Sequence, residues 1–233
     1  MRPVTPPRVT VIVMAYNEVA SLASVVSETS DELNAAGLAY EILIVDDGSR
    51  DGTGEIADKL AADPHVTVIH HPINRGVGEV YRSGFAAARG ELVTFLPADG
   101  QFPASIVPQF VAEAERVDLV LGYLPDQQGA RSIIGKLLSA SEKLFYRVLF
   151  GRMPKFQGVL MFRRSLLDRL TLTSKGRGWM VLTELIVRCL RSGCTIRSVP
   201  TPLRPRAAGT SKVNNLKSVF ANVRQALELR ASL

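Results

Sequence analysis

Four short apolar runs, each ending in a polar turn and separated by helix-patterned segments, restrict this chain more than any other feature. They are Val9–Met14 (VTVIVM), Tyr40–Val45 (YEILIV), His65–His70 (HVTVIH) and Glu91–Leu96 (ELVTFL). β-Branched runs this close to continuous are the pattern of strands covered on both faces, and hence of a mostly parallel sheet flanked by helices. The segments between them supply those helices. Residues 19–36 place Leu22, Val25, Val26 and Leu33 on one side and stop at Gly37, 54–62 follows the second run, and a third helix opens at Asn74–Gly78 and continues to Ala88. Strand and helix alternating in this way predict βαβ units with right-handed crossovers. The polar strand ends Asn17-Glu18, Asp46-Asp47 and Asp99 then gather on one edge, where open α/β sheets bind ligands.

The fourth run carries the most chemistry. In LVTFLPADGQFP the strand breaks at Pro97 and delivers Asp99, Gly100 and Gln101 to its end. A carboxylate and an amide two residues apart offer oxygens to a hard cation such as Mg²⁺ or Mn²⁺, which would hold a diphosphate. An Asp-Gly turn closing a strand leaves the same residues. Asn74-Arg75-Gly76 starts a helix whose N–H groups suit an anion, with Arg75 a candidate phosphate neighbour. An ordinary cap and loop is the competing reading.

Taken together, VIVMAYNE, IVDDGSRDGT, NRGVG and LPADGQFP, in this order, resemble the nucleotide-sugar-binding domain of family 2 glycosyltransferases with the GT-A fold. The likeness is strongest to the branch acting on dolichyl or polyprenyl phosphate, and it runs from about Val9 to Val213. It implies an α/β, Rossmann-like GT-A domain over 1–213, including an amphipathic acceptor-side helix at about 131–151, and a C-terminal helix over 214–233. The resemblance also implies the site. Ala15, Tyr16, Glu18, Asp46, Asp47 and Gly76 would meet the nucleotide-sugar, with Tyr16 against the base, Glu18 and Asp46 accepting from base or ribose, and Asp47 with Ser49 shaping the turn. Asp99 and Gln101 would hold Mg²⁺ or Mn²⁺. Arg206, Ser211 and Lys212 would close over the diphosphate, Asp99, Arg206 and Lys212 forming the catalytic set, and Arg131 would bind the acceptor phosphate. One departure stands out: the family's metal motif carries two aspartates around one residue, and here the first position is Pro97. Mg²⁺ commonly uses one or two protein ligands and completes its shell with water and phosphate oxygens.

Charge divides the chain. Residues 1–122 carry 8 Lys and Arg against 17 Asp and Glu, net −9, and 123–233 carry 20 against 5, net +15. A basic second half is expected to meet something anionic: phosphate, nucleic acid or a lipid surface. In 131–151 an apolar stripe of Ile133, Ile134, Leu137, Leu138, Leu144, Phe145, Val148 and Leu149 lies away from Arg131, Lys136, Lys143 and Arg147. A basic helix of this form lies at a membrane interface or packs on the domain or a second subunit. Leu216, Phe220, Val223 and Leu227 form a similar register in the last helix. Phe156–Arg164 resembles the family segment in which a glycine-bearing strand precedes a paired-arginine turn, with Gly158 the matching glycine and Arg163-Arg164 as surface or helix-cap charge. Trp179–Leu190 is a helix whose Glu184 is either an acid–base group or the partner of Arg188 one turn on.

The Pro-rich start and the shortness of every apolar run predict neither a signal peptide nor a membrane span. Cys189 and Cys194 make no disulfide framework, so a reducing compartment is expected. The combined expectation is an inverting hexosyltransferase, cytoplasmic and peripheral on the inner membrane face, with a homo-oligomer or a membrane partner subunit left open. The alternative is a weak or inactive nucleotide-sugar-binding subunit, suggested by Pro97. A nucleic-acid module is disfavoured because no aromatic and basic interleaving or known motif supports it.

Overall fold

The computed structural model describes residues 6–125, 144–205 and 216–233, with side chains from 223 onward in the last segment. Its centre is a seven-stranded sheet in the order β3-β2-β1-β4-β6-β5-β7. The strands are β1 (Val9–Ala15), β2 (Tyr40–Asp46), β3 (Val66–His70), β4 (Leu92–Pro97), β5 (Leu119–Tyr123), β6 (Leu160–Arg163) and β7 (Ile196–Pro200). β1 pairs in parallel with β2 and β4, β2 with β3, and β5 with β7. β6 alone runs antiparallel, between β4 and β5. The expected α/β, mostly parallel sheet is therefore present as a mixed sheet.

Helices cover both faces. They are α1 (Leu22–Ala35), α2 (Thr53–Leu60), α3 (Val77–Ala87), α4 (Ile106–Ala114), α5 (described over 144–150), α6 (Ser165–Arg169), α7 (Met180–Arg191) and α8 (Leu216–Ser232). The β1-to-β2 and β3-to-β4 crossovers run in opposite directions across the sheet, so right-handedness puts α1 and α3 on opposite faces. α2 and α4 pack beside α1, and α7 beside α3. This double cover explains the unbroken apolar runs: every residue of β2 is buried. The edge strands β3 and β7 are only partly buried. Between α3 and the sheet, Tyr81 meets Phe95 edge-on at 4.7 Å and Phe85 meets Phe162 at 5.1 Å. Such pairs add about 0.5–1.5 kcal/mol each beyond their buried area.

A second, smaller cluster lies outside the sheet. Met180 of α7 and Ala226 and Leu229 of α8 pack with Phe145, Tyr146, Leu149 and Phe150 of α5. Of the stripe expected on α5, Phe145 and Leu149 are packed, together with Tyr146 and Phe150. Leu144 and Val148 are 62% and 75% exposed, and Val223 and Leu227 are 37% and 51% exposed. Residues 131–143 of the expected acceptor-side helix lie outside the described residues. Among the described residues no helix is long and apolar enough to cross a membrane.

Close contact of α3 with β1 depends on Gly84. A Cβ there would lie 2.7 Å from Ile12 Cδ1 and 2.9 Å from Cγ2, and Ile12 is wholly buried on β1. Gly84→Ala is expected to destabilise the protein by about 1–3 kcal/mol through overpacking, despite alanine's better helix propensity. Urea unfolding monitored by circular dichroism measures it.

Candidate active site

β1, β2 and β4 end in register. Ala15 is opposite Asp46, and Met14 is opposite Pro97. Beyond the strands the pairing continues, with Asp47 N donating to Ala15 O at 2.9 Å and Ala98 N to Met14 O at 2.9 Å. Tyr16 to Glu18, Asp46 to Ser49 and Asp99 to Gln101 thus leave the sheet side by side. The adjacent strands β1 and β4 flank the point where chain direction across the sheet reverses, the place where such sheets bind ligands.

The turns after β1 and β2 are sewn into one unit. Asn17 has φ 53°, the only positive φ among described residues other than glycine. Asparagine tolerates that left-handed region better than most residues. Its N–H donates to Ser49 Oγ at 2.9 Å, and its Oδ1 accepts from Arg50 N at 2.8 Å. Glu18 N donates to Thr53 Oγ1 at 2.9 Å and Val19 N to Asp51 Oδ2 at 3.3 Å. Ser49 N in turn donates to Asp46 Oδ1 at 3.1 Å. The two motifs that looked separate in sequence, Tyr-Asn-Glu and Asp-Asp-Gly-Ser-Arg-Asp-Gly-Thr, are the two sides of one seam.

Asp47 does different work from Asp46. Its carboxylate, 3% exposed, accepts from His71 Nδ1 (2.7 Å), Asn74 Nδ2 (2.9 Å), Arg75 N (2.9 Å) and Gly76 N (2.8 Å). The intervening Gly48 is obligatory: at φ 71° its Cβ would lie 2.5 Å from the carbonyl carbon of Ile73. The sequence expectation that the Arg75–Gly76 amides suit an anion is corrected here, since Asp47 takes both and Gly78 N donates to Arg177 O at 2.9 Å. Arg75 itself pairs with Glu79 at 2.8 Å. Asp47 and Gly76 therefore shape the loop, and their carboxylate and N–H are engaged within it.

Asp99, 8% exposed, accepts Gln101 N on Oδ1 at 3.1 Å. Arg204 N donates to Gln101 O at 2.7 Å, while Glu28 on α1 accepts from both Ala104 N (3.1 Å) and Arg204 Nη1 (2.9 Å). The segment after β7 is thus fastened across the Asp99 turn. It leads directly into 206–212, but Arg206, Ser211 and Lys212 lie outside the described residues, as does Arg131. Among the described residues no three Asp, Glu, His or Cys side chains cluster to hold a metal. A cation that shares its shell with phosphate and water, the habit of Mg²⁺, needs only one or two protein ligands.

Glu184 is fully buried and accepts from Thr173 N and Oγ1 at 2.9 Å, Ser174 N at 2.7 Å and Arg188 Nε at 2.8 Å. Burial pushes its pKa up, and these donors outweigh that and bring it below the ordinary value of 4.5. A saturated carboxylate of lowered pKa is a fastener, not a base. It pins Thr173 and Ser174 at the start of the 173–178 loop, which Arg82 and Arg177 also hold through Ser174 O (2.8 Å) and Asn74 Oδ1 (2.6 Å). This loop was not foreseen, because its bonds join positions about a hundred residues apart. Arg163 pairs with Glu91 at 2.9 Å at the far end of β4, away from the site.

A family model described as Glycosyl transferase family 2 matches residues 10–171. The undecaprenyl-phosphate mannosyltransferase of Micrococcus luteus is 31% identical over 219 residues, covering 89% of this chain and 88% of that protein. The undecaprenyl-phosphate 4-deoxy-4-formamido-L-arabinose transferase of Shewanella sediminis is 38% identical over 109 residues, 46% of this chain and 33% of the relative, so the match spans about a third of that longer protein. Glucosyl-3-phosphoglycerate synthase from Mycobacterium tuberculosis, solved with Mn²⁺, UDP and phosphoglyceric acid, superposes with a TM-score of 0.69 at 23% identity, covering 97% of this chain and 78% of that one. At that identity the likeness is one of fold.

Two outcomes are expected from this geometry. Asn17→Ala loses the side-chain bond to Arg50 N and strains the left-handed turn, at a cost of about 1–2 kcal/mol in urea unfolding, whereas Asn17→Gly recovers the backbone part. Glu184→Gln lowers stability by about 2 kcal/mol at pH 7. Because the folded pKa lies below the unfolded one, the Glu184 contribution is complete above about pH 4.5 and fades as pH falls through the folded value. The gap between wild type and Glu184→Gln should therefore close in acid, as denaturation midpoints from pH 7 to pH 3 would record.

Proposed function

This chain belongs to glycosyl transferase family 2, and we propose that it moves a sugar from a nucleotide-sugar to a polyprenyl phosphate at the cytosolic face of a membrane, with inversion at the anomeric carbon. The observation that carries this reading is the joined edge of β1, β2 and β4, where a seam of side-chain to backbone bonds brings Tyr16, Glu18 and Asp46 alongside the Asp99 turn. Tyr16, Glu18 and Asp46 bind the nucleoside. Asp99 and Gln101 would hold Mg²⁺ or Mn²⁺, which would supply positive charge to the leaving diphosphate. Arg206, Ser211 and Lys212, which follow Arg204 in sequence, would close over the same diphosphate.

In the reaction an oxygen of the acceptor phosphate forms a bond to the anomeric carbon as the bond from that carbon to the donor diphosphate breaks, and the nucleoside diphosphate leaves with the electron pair. No base is needed, because a phosphomonoester is already anionic, with a second pKa near 6. That agrees with the engagement of Glu184 in structure. Arg131 would meet the acceptor phosphate, and the basic second half would favour an anionic lipid surface. Pro97 at the end of β4, where a second carboxylate would strengthen the cation site, favours one competing reading, a binding subunit with little turnover.

The test is a transfer assay with GDP-mannose, UDP-glucose and UDP-N-acetylglucosamine, short-chain polyprenyl phosphate and Mn²⁺ or Mg²⁺. A lipid-linked sugar from one donor is expected, with Asp99→Ala slowing turnover at least about 100-fold, the scale of losing a charge-stabilising group, while the circular dichroism spectrum is unchanged. Nucleotide binding without a lipid product would favour the binding subunit, and an Asp99→Ala rate equal to wild type would sink the cation assignment.

A further inference from the structure

The donor edge has a support that no motif marks. His70 ends β3 in register with Asp46. Its Nδ1 lies 3.1 Å from Asp46 Oδ2 and its Nε2 lies 3.0 Å from Asp58 Oδ1. An ionised carboxylate only accepts, so a ring facing one at each nitrogen can donate to both only when doubly protonated, as an imidazolium. Asp46 is 4% exposed, and its other oxygen already accepts Ser49 N at 3.1 Å. A carboxylate buried to that degree needs a counter-charge and a fixed set of donors to stay ionised.

We propose that His70 is a positioning residue of the donor site: clasped between Asp58 and Asp46, its ring holds the Asp46 carboxylate in one orientation to accept a hydrogen bond from the donor's nucleoside. This rests on Asp46 meeting the nucleoside, as proposed above. The surroundings are built for it. Gly54, in the first turn of α2, packs against both groups, and a Cβ there would lie 3.3 Å from Asp46 Oδ2 and 3.6 Å from His70 Cε1. On its outer side His70 borders a hollow of about 350 Å³ whose charged lining is Arg50, Glu55 and Asp58. The charged groups around the ring are thus Asp46 from β2, Asp58 and Glu55 from α2, and Arg50 from the turn, an excess of negative charge. Burial lowers the His70 pKa, and the bonds to Asp46 and Asp58 outweigh it, leaving it above the ordinary 6.5.

The sign of the pH effect follows. The folded pKa of His70 is raised, so its support of Asp46 is complete below pH 6.5 and is lost as pH rises through the folded value. The experiment uses the full chain with Mn²⁺ and titrates UDP and GDP calorimetrically against wild type, His70→Ala, His70→Gln and Asp46→Asn, with melting temperatures recorded alongside. For whichever nucleotide binds, His70→Ala should weaken affinity about tenfold, the scale of one charge-assisted hydrogen bond, in titrations run well below its melting temperature, which falls with loss of the partner of buried Asp46. His70→Gln, whose amide can donate to the same oxygen, should recover much of that loss. Wild-type affinity should fall with rising pH above neutrality, and that of His70→Gln should stay flat. His70→Ala at wild-type affinity, with Asp46→Asn impaired, overturns the positioning role alone. Asp46→Asn at wild-type affinity, or a wild type that binds neither nucleotide, overturns the donor reading of this edge and the His70 role with it.

Discussion

Two neighbouring carboxylates buried at the end of β2 organise everything around them. Neither Asp46 nor Asp47 can be left in a protein interior without donors, since an unpaired buried charge costs several kcal/mol. Each recruits a different set. Asp47 draws His71, Asn74 and two amides inward and thereby sets the path from β3 to α3. Asp46 draws Ser49 N and His70, fixing the turn into α2 and the end of β3. The same loops then reach further. Gly78 N binds Arg177 O, and Arg177 returns to Asn74, so the 173–178 loop is set by a chain of contacts that begins at Asp47.

The consequence is an edge whose rigidity comes from polar bonds rather than from apolar packing. Strand ends cannot be covered by helices without closing the site, so the seam between Asn17 and Arg50 and between Glu18 and Thr53 does what a core would do elsewhere. Such preorganisation matters for glycosyl transfer, because fixed groups need no rearrangement as charge develops on the reacting atoms. Glu184 serves the same end from α7, holding Thr173 and Ser174 in place with a carboxylate that stays ionised.

Much of this was legible in the chain. The central strands were readable because burial on both faces leaves no polar position in a run such as YEILIV except Glu41, whose carboxylate Thr10 and Arg89 satisfy at 2.6 Å and 2.7 Å. The helices at 22–35 and 180–191 were visible through their spacing. The antiparallel β6 was not distinguishable, because an apolar run of four residues carries no direction. The stripe expected on α5 is divided, Phe145 and Leu149 packing beside α7 and α8 while Leu144 and Val148 stay exposed. Periodicity states that a face exists, and only the neighbours decide which one is used.

By itself the sequence determined the α/β alternation, the family likeness, the edge on which polar residues gather, and the single carboxylate left after β4 by Pro97. These depend on local order along the chain, where apolar runs, turn residues and motif spacing act within a few positions. The tertiary structure alone decided which of those carboxylates are spent on architecture. Asp46 and Asp47 are adjacent and chemically identical, and what separates them is the company of His70 and Asp58 on one side and of His71, Asn74 and Gly76 on the other. Hydrogen-bond donors close to a carboxylate in space are brought there from elsewhere in the chain, and no reading of neighbours in sequence reveals whether an acid is already satisfied or stands ready for a ligand.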